Sequence, residues 1–170
     1  TGEIRVVVMS GGVLYAGTKS NGLFSFDTRR RLWQRYMVPG GKDNIIYAIR
    51  PVGNGVYIGH LKGLSFMDGR GNIRDTGIHD NVYSIDIDRR RRCLWVGTEH
   101  GLLHRSLVSG KTARALTGST YNHPLVLADG NLLVASEYGM LVFNPESGDR
   151  RTVSHDVSSP LYSLPSNRIN

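Results

Sequence analysis

The chain has 170 residues, of which 39% are hydrophobic and 21 are glycine, and its formal net charge is +7. This length and composition suit a single globular unit with a buried core. No run of apolar residues is long enough to span a membrane, and the N-terminal residues do not resemble a signal peptide. The one cysteine, Cys93, excludes an intramolecular disulfide, and a buried thiol is expected there.

Four similar segments follow one another along the chain, each built around a small anchor residue. The segments are Leu14–Asp27 around Gly17, Val56–Asp68 around Gly59, Leu94–Ser106 around Gly97, and Leu132–Asn144 around Ala135. Successive anchors are 42, 38 and 38 residues apart. A repeat of roughly 40–50 residues is typical of β-propeller blades.

Each repeat is predicted to form four short strands, because its apolar runs are bounded by turn residues and lack a helical period. The predicted strands of the second repeat are Ile45–Arg50, Gly55–Gly59, Gly63–Asp68 and Asn72–Asp75. Those of the third are Val82–Asp86, Leu94–Thr98, Leu102–Leu107 and Thr112–Leu116. The predicted fold is all-β: an incomplete propeller of four four-stranded antiparallel blades, at about residues 1–40, 41–78, 79–118 and 119–157.

Two sets of residues are expected to shape every blade. A glycine should allow positive φ in the turn between the second and third strands, at Gly22, Gly63, Gly101 and Gly139. A large side chain two positions before each anchor should be buried between neighbouring blades, at Tyr15, Tyr57, Trp95 and Leu133.

Two motifs resemble a known family. The run Leu94–Leu102, with the sequence LWVGTEHGL, is similar to the signature of the two-component regulator propeller repeat, and Ser163–Asn170 resembles the linker that precedes each blade of that family. The resemblance implies a periplasmic sensor propeller of a bacterial hybrid two-component regulator, often one that controls polysaccharide utilisation. It also implies that residues 158–170 are a linker to a missing blade, so that any kinase and membrane segment would lie outside this chain.

Antiparallel strands place alternate turns at opposite ends of a blade, which sorts the loops into two faces. The face carrying the second turn of each blade is rich in polar and aromatic residues suited to sugar hydroxyls. Its candidate ligand-binding residues are His60, His79, His100, Tyr121, His123 and Tyr138. The alternative is that these are ordinary solvated turn residues.

The opposite face collects arginines, most densely at Arg89, Arg90, Arg91 and Arg92. This turn is a candidate anion site for sulfated or uronic-acid glycans. A solvated β-turn is the preferred alternative, because no aromatic side chains interleave with the arginines as they do in single-strand nucleic-acid binders. We therefore expect no nucleic-acid partner.

The sequence contains no nucleophile elbow, phosphate-binding loop or cluster with metal-ligand spacing, so we expect no enzyme activity, no cofactor and no metal. The preferred function is a periplasmic ligand-sensing module that binds an oligosaccharide. The alternative is a protein-interaction scaffold, and a weaker one is a propeller lyase. The terminal blades should expose open edges that bind the remaining blades or another copy of the chain.

Overall fold

The computed structural model describes residues 2–39, 44–118, 121–136 and 139–153. Within these residues the chain forms strands and no helix, and so no helix that could cross a membrane. The strands make four four-stranded sheets, each with its strands in sequence order and antiparallel to their neighbours. This confirms the predicted all-β fold of four propeller-type blades.

Blade 1 and blade 2 belong to the first of two compact units, Thr1–Ile85. The strands of blade 1 are β1 (Ile4–Ser10), β2 (Val13–Thr18), β3 (Leu23–Asp27) and β4 (Leu32–Tyr36). Those of blade 2 are β5 (Ile46–Val52), β6 (Gly55–His60), β7 (Gly63–Met67) and β8 (Ile73–Ile78). The last strand of blade 2 is longer than predicted and follows a register shift between Leu64 and Ser65.

Most of blade 3 and all of blade 4 belong to the second unit, Asp86–Asn170. The strands of blade 3 are β9 (Val82–Asp88), β10 (Cys93–Thr98), β11 (Gly101–Ser106) and β12 (Thr112–Thr117). Those of blade 4 are β13 (Tyr121–Val126), β14 (Leu132–Ser136), β15 (Gly139–Phe143) and β16 (Arg150–Val153). All four anchors therefore lie on the second strand of their blade, as predicted.

The turn glycines have the predicted backbone conformation. Gly22, Gly63, Gly101 and Gly139 have φ values of 78°, 140°, 145° and 120°. A Cβ atom would also collide with the fourth strand: at Gly63 it would lie 2.1 Å from the Ile78 carbonyl oxygen, and at Gly101 2.1 Å from that of Leu116. Glycine is needed here both for φ and for close approach.

In the first unit, the core lies between blade 1 and blade 2. We call the side of blade 2 or blade 4 that packs on the preceding blade of its unit the leading face and the opposite side the trailing face, and we use the same names for the equivalent sides of blades 1 and 3. The leading face of blade 2 contributes Ile49, Val56, Ile58 and Met67, which cluster with Leu23, Val6, Val8 and Tyr15 of blade 1. Gly17 is the anchor because a Cβ there would lie 2.6 Å from Ile46 Cγ2.

In the second unit, the core lies between blade 3 and blade 4 and is centred on Trp95, which is 3% exposed. The Trp95 indole packs edge-on against Phe143, with ring centroids 6.4 Å apart. Around it lie buried side chains from both blades: Cys93, Leu102, Leu116, Leu132, Val134 and Leu141. Burial raises the pKa of the Cys93 thiol to about 11, which keeps it protonated.

The predicted inter-blade residues divide into two pairs. Trp95 and Tyr57 are buried, as predicted. Tyr15 and Leu133 are only half-buried. Tyr15 borders an open groove beside the core, and Leu133 lies on the trailing face of blade 4, after which the described residues contain no further blade.

Candidate functional site

The candidate residue His60 is buried at the end of β6. Its position corresponds to a hydroxyl residue in the other blades, where the side chain closes the turn by donating a hydrogen bond to the glycine carbonyl: Thr18 to Gly22 at 2.9 Å, Thr98 to Gly101 at 2.7 Å, and Ser136 to Gly139 at 3.0 Å. His60 closes its turn through different hydrogen bonds. Its Nδ1 accepts the Lys62 backbone N–H at 3.2 Å, and its Nε2 lies 3.0 Å from Ser65 Oγ.

Burial lowers the pKa of His60 to about 4, although the charge of Asp75 acts in the opposite direction. The imidazole is therefore neutral at neutral pH, and both ring nitrogens have protein partners. His60 is a structural residue of the turn, and its ring does not face solvent as the sequence interpretation required.

His79 lies above the same turn and is exposed. Its Nδ1 is 3.5 Å from Asp75 Oδ2, and Asp75 Oδ1 accepts the Gly77 backbone N–H at 2.7 Å. The Asp75 carboxylate thus lies beside His79 and acts electrostatically on His60. Blade 2 brings His60 and His79 to one end of its sheet, with only His79 presented to solvent.

The other candidates of the polar face lie in the second unit. His100 is exposed in the β10–β11 turn, and its backbone carbonyl accepts a hydrogen bond from Arg114. His123 is exposed on β13 with φ of 51°. Tyr121 begins β13, and its backbone pairs with Ser136, the last residue of β14. Tyr138 lies outside the described residues.

The four candidate arginines of the predicted anion site have different surroundings. Arg91 Nη1 binds Asp88 Oδ2 and the Gly130 carbonyl, both at 2.9 Å, and Nη2 binds Glu146 at 2.8 Å. Arg91 therefore links blade 3 to blade 4 within the second unit. Arg89, Arg90 and Arg92 are the exposed residues of the turn, and Arg92 has a positive φ of 52°.

An acidic residue caps each arginine-rich turn. Asp88 is 1% exposed, and its Oδ1 accepts the Arg91 backbone N–H. Burial alone would raise the pKa of Asp88, but hydrogen bonds from Arg91 and Trp95 hold it below the usual range. Asp27 likewise accepts the backbone N–H groups of Arg29 and Arg30. The aspartates offset part of the positive charge of these turns.

A groove that the sequence interpretation missed lies between blade 1 and blade 2. Groove 1/2 has a volume of about 470 Å³, within the range of small-molecule sites. Its rim and walls include Tyr15, Ser25, Gln34, Tyr36 and Met67. Tyr36 Oη donates a hydrogen bond to Gln34 Oε1 at 2.5 Å. The pKa of Tyr15 is raised, mainly by burial and also by electrostatic interaction with Tyr36. Aromatic rings beside hydroxyl and amide groups are suited to a sugar.

The same position between blade 3 and blade 4 carries groove 3/4, of about 560 Å³. Cross-strand pairing makes Trp95 and His104 the equivalents of Tyr15 and Ser25. On its fourth strand groove 3/4 has Ala113 and Ala115, where groove 1/2 has Gln34 and Tyr36, and its other polar lining residues are Arg91, Ser106 and Arg114. The second groove is therefore poorer in hydrogen-bonding side chains. The sequence signal for both grooves was the large residue two positions before the anchor. The fourth-strand residues that complete each groove could be identified only once the strand register was known.

The structure is similar to solved structures of other proteins, two of which are extracellular domains. An extracellular domain described as that of the putative one component system BT4673 from B. thetaiotaomicron matches 97% of this chain with a TM-score of 0.86 and 23% identity. That of the putative hybrid two component system BT3049 matches 88% with a TM-score of 0.73 and 16% identity. U3-55K matches 92% of this chain and 53% of its own, with a TM-score of 0.73 and 11% identity.

The chain spans about a quarter of the length of the two B. thetaiotaomicron domains, 24% and 23% respectively. At these identities the likeness shows the fold. No protein-family model matches the sequence, and no curated protein matches it either.

Proposed function

We propose that this chain is a sensor module from the extracellular or periplasmic part of a two-component signalling protein. The observation that carries the proposal is the match over 97% of the chain to an extracellular domain that a second solved structure describes as part of a putative hybrid two component system. The repeat signature Leu94–Leu102 supports the same assignment. In this role the chain binds a signal and performs no chemistry.

The ligand we propose is an oligosaccharide that binds in groove 1/2. Tyr15 and Tyr36 offer aromatic surface and phenol groups, and the exposed amide of Gln34 can pair with sugar hydroxyls. The groove lies between two blades, so a ligand there would favour one arrangement of blade 1 against blade 2. A signal is transmitted only through such differential binding.

A glycan array with the full chain tests the ligand class, followed by calorimetry on the best ligand. Gln34→Ala and Tyr15→Phe each remove one polar group from groove 1/2, and we expect them to weaken binding about tenfold, the consequence of losing one hydrogen bond. His104→Ala is the matched control in groove 3/4 and should bind normally. His79→Ala tests the polar turn face instead.

Loss of binding in His79→Ala with normal binding in Gln34→Ala would move the site to the turn face. An array with no saturable ligand would overturn the oligosaccharide proposal. The uncovered apolar face of blade 1 would then favour an interaction scaffold as the function.

A further inference from the structure

The leading face of blade 1 is an uncovered apolar surface. Val7, Met9 and Trp33 are 53%, 56% and 60% exposed. Cross-strand pairing places Val7 and Met9 on the same side as Ala16 and Leu14, and Trp33 on the side of Phe26, with which it is in ring contact at 4.7 Å. Isolated exposed apolar residues are ordinary, but a sheet face that combines them marks an interaction surface.

The strand register shows what covers the equivalent faces elsewhere in the chain. Leu14 and Phe26 of blade 1 form a cross-strand pair, and the same pair is Val56 and Met67 in blade 2 and Leu132 with Phe143 in blade 4. The pairs in blades 2 and 4 are buried in the two cores, against the trailing faces of blades 1 and 3. In this chain the partner of a leading face is a trailing face.

Blade 4 carries a trailing face whose side chains are less buried than their equivalents. The residues are Leu133, Ala135, Met140 and Val142, all half-buried. At the corresponding positions of blade 1, Leu23 is fully buried and Ser25 is 6% exposed. Among the residues that the structure describes there is thus one incompletely covered leading face and one incompletely covered trailing face, of the two types that pack together inside each unit.

We propose that two copies of this chain associate head to tail, with the trailing face of blade 4 of one copy packed on the leading face of blade 1 of the other. The contact repeats the arrangement of blade 1 on blade 2. Because the two faces differ, the interface is heterologous, and each copy can contribute its trailing face to one neighbour and its leading face to another. Val7 and Met9 lie outside groove 1/2, whereas Trp33 also lines it.

Sedimentation velocity of the full chain at low to high micromolar concentration tests the association. We expect dimers or larger species that increase with concentration. Val7→Asp, on the leading face, and Val142→Asp, on the trailing face, should each yield monomers. Val108→Asp is the control, because Val108 is 66% exposed but lies in the β11–β12 turn and belongs to neither face.

Mixing the two variants distinguishes this geometry from other associations. Val7→Asp keeps an intact trailing face and Val142→Asp an intact leading face, so an equimolar mixture should form one heterodimer although neither variant associates alone. This restoration also shows that both variants are folded. A wild-type chain that stays monomeric, or a Val7→Asp variant that associates normally, would overturn the proposal, while glycan binding in groove 1/2 would be unaffected.

Discussion

At the residue scale, His60 shows how one substitution in a repeat changes the chemistry of a turn. Three blades close this turn with a hydroxyl group, which does not titrate in the physiological range. Blade 2 closes it with a neutral imidazole whose Nδ1 accepts the Lys62 N–H. Protonation of Nδ1 would break that hydrogen bond and place a charge in a buried site.

The free energy of unfolding should therefore decrease as the pH drops from about 6.5 to about 4, the pKa values of His60 in the unfolded and folded chain. Its pKa is about 4 in the folded chain and about 6.5 when unfolded, so the unfolded state binds more protons between these values. The stabilising effect of the neutral imidazole is complete above pH 6.5 and lost progressively below it. From pH 7 to pH 4.5 the free energy of unfolding should decrease by about 2 kcal/mol through this group.

His60→Thr gives the turn the residue of blades 1 and 3 and should remove that part of the pH dependence. Urea unfolding followed by circular dichroism at pH 7 and pH 4.5 measures it, with His100→Ala as the control because His100 is an exposed histidine of another blade. An equal loss of stability in wild type and His60→Thr would show that His60 does not carry the effect.

Arg91 and Arg90 are adjacent in the same turn, but Arg91 forms ion pairs whereas the side chain of Arg90 is exposed. Arg91→Ala removes both ion pairs and leaves the buried Asp88 carboxylate without its charged partner. Breaking such a pair typically costs 3–5 kcal/mol, and since Glu146 is exposed we expect about 3 kcal/mol here. Arg90→Ala should change stability by less than about 0.5 kcal/mol. Urea unfolding of both variants decides the matter, and equal effects would contradict the assigned role of Arg91.

At the element scale, the sequence predicts the fold well because the same backbone constraints recur in all four repeats. The anchor and turn glycines mark backbone positions where a Cβ collides, and these constraints depend on local geometry. Alternation then predicts which side chains of a strand share a face. The anchors at Gly17 and Gly59 and the strands of blades 2 and 3 follow from these rules.

The candidate site was harder to predict for two physical reasons. The sequence places His60 in a polar turn. Whether its side chain is buried depends on which neighbouring side chain it contacts, and here that side chain is Ser65. The residues that line groove 1/2 come from different strands and two blades, such as Tyr15, Gln34 and Met67. Their proximity depends on the register of the fourth strand and on blade packing, which no single repeat encodes.

The two tryptophans offer a matched test of the core assignment. Trp95 is 3% exposed between blade 3 and blade 4, whereas Trp33 is 60% exposed on β4. Trp95→Ala should lower the free energy of unfolding by roughly 3–5 kcal/mol, because it removes a large buried side chain and leaves a cavity. Trp33→Ala should cost less than about 1 kcal/mol, since it loses mainly its contact with Phe26. Urea unfolding in dilute solution, followed by circular dichroism, would contradict this ranking if the two losses were equal.

At the scale of the whole molecule, blade packing and self-association rest on the same kind of contact. A repeat protein is stabilised by each repeat and by each interface between neighbours. Covering the leading face of blade 1 with a second copy adds one more interface of that kind. The net charge of +7 opposes association only at long range, and salt screens it.

The melting temperature of the chain should therefore depend on its concentration. A partner that binds only the folded state stabilises it by mass action, and a tenfold rise in concentration above the dissociation constant adds about 0.7 kcal/mol per chain in a dimer. For a domain of this size that corresponds to an increase of about 2 °C in the melting temperature. Differential scanning fluorimetry over a hundredfold concentration range should show the trend in wild type and in Val108→Asp, but not in Val7→Asp. A melting temperature independent of concentration in all three proteins would mean that the exposed face of Val7, Met9 and Trp33 has no partner in a second copy of the chain.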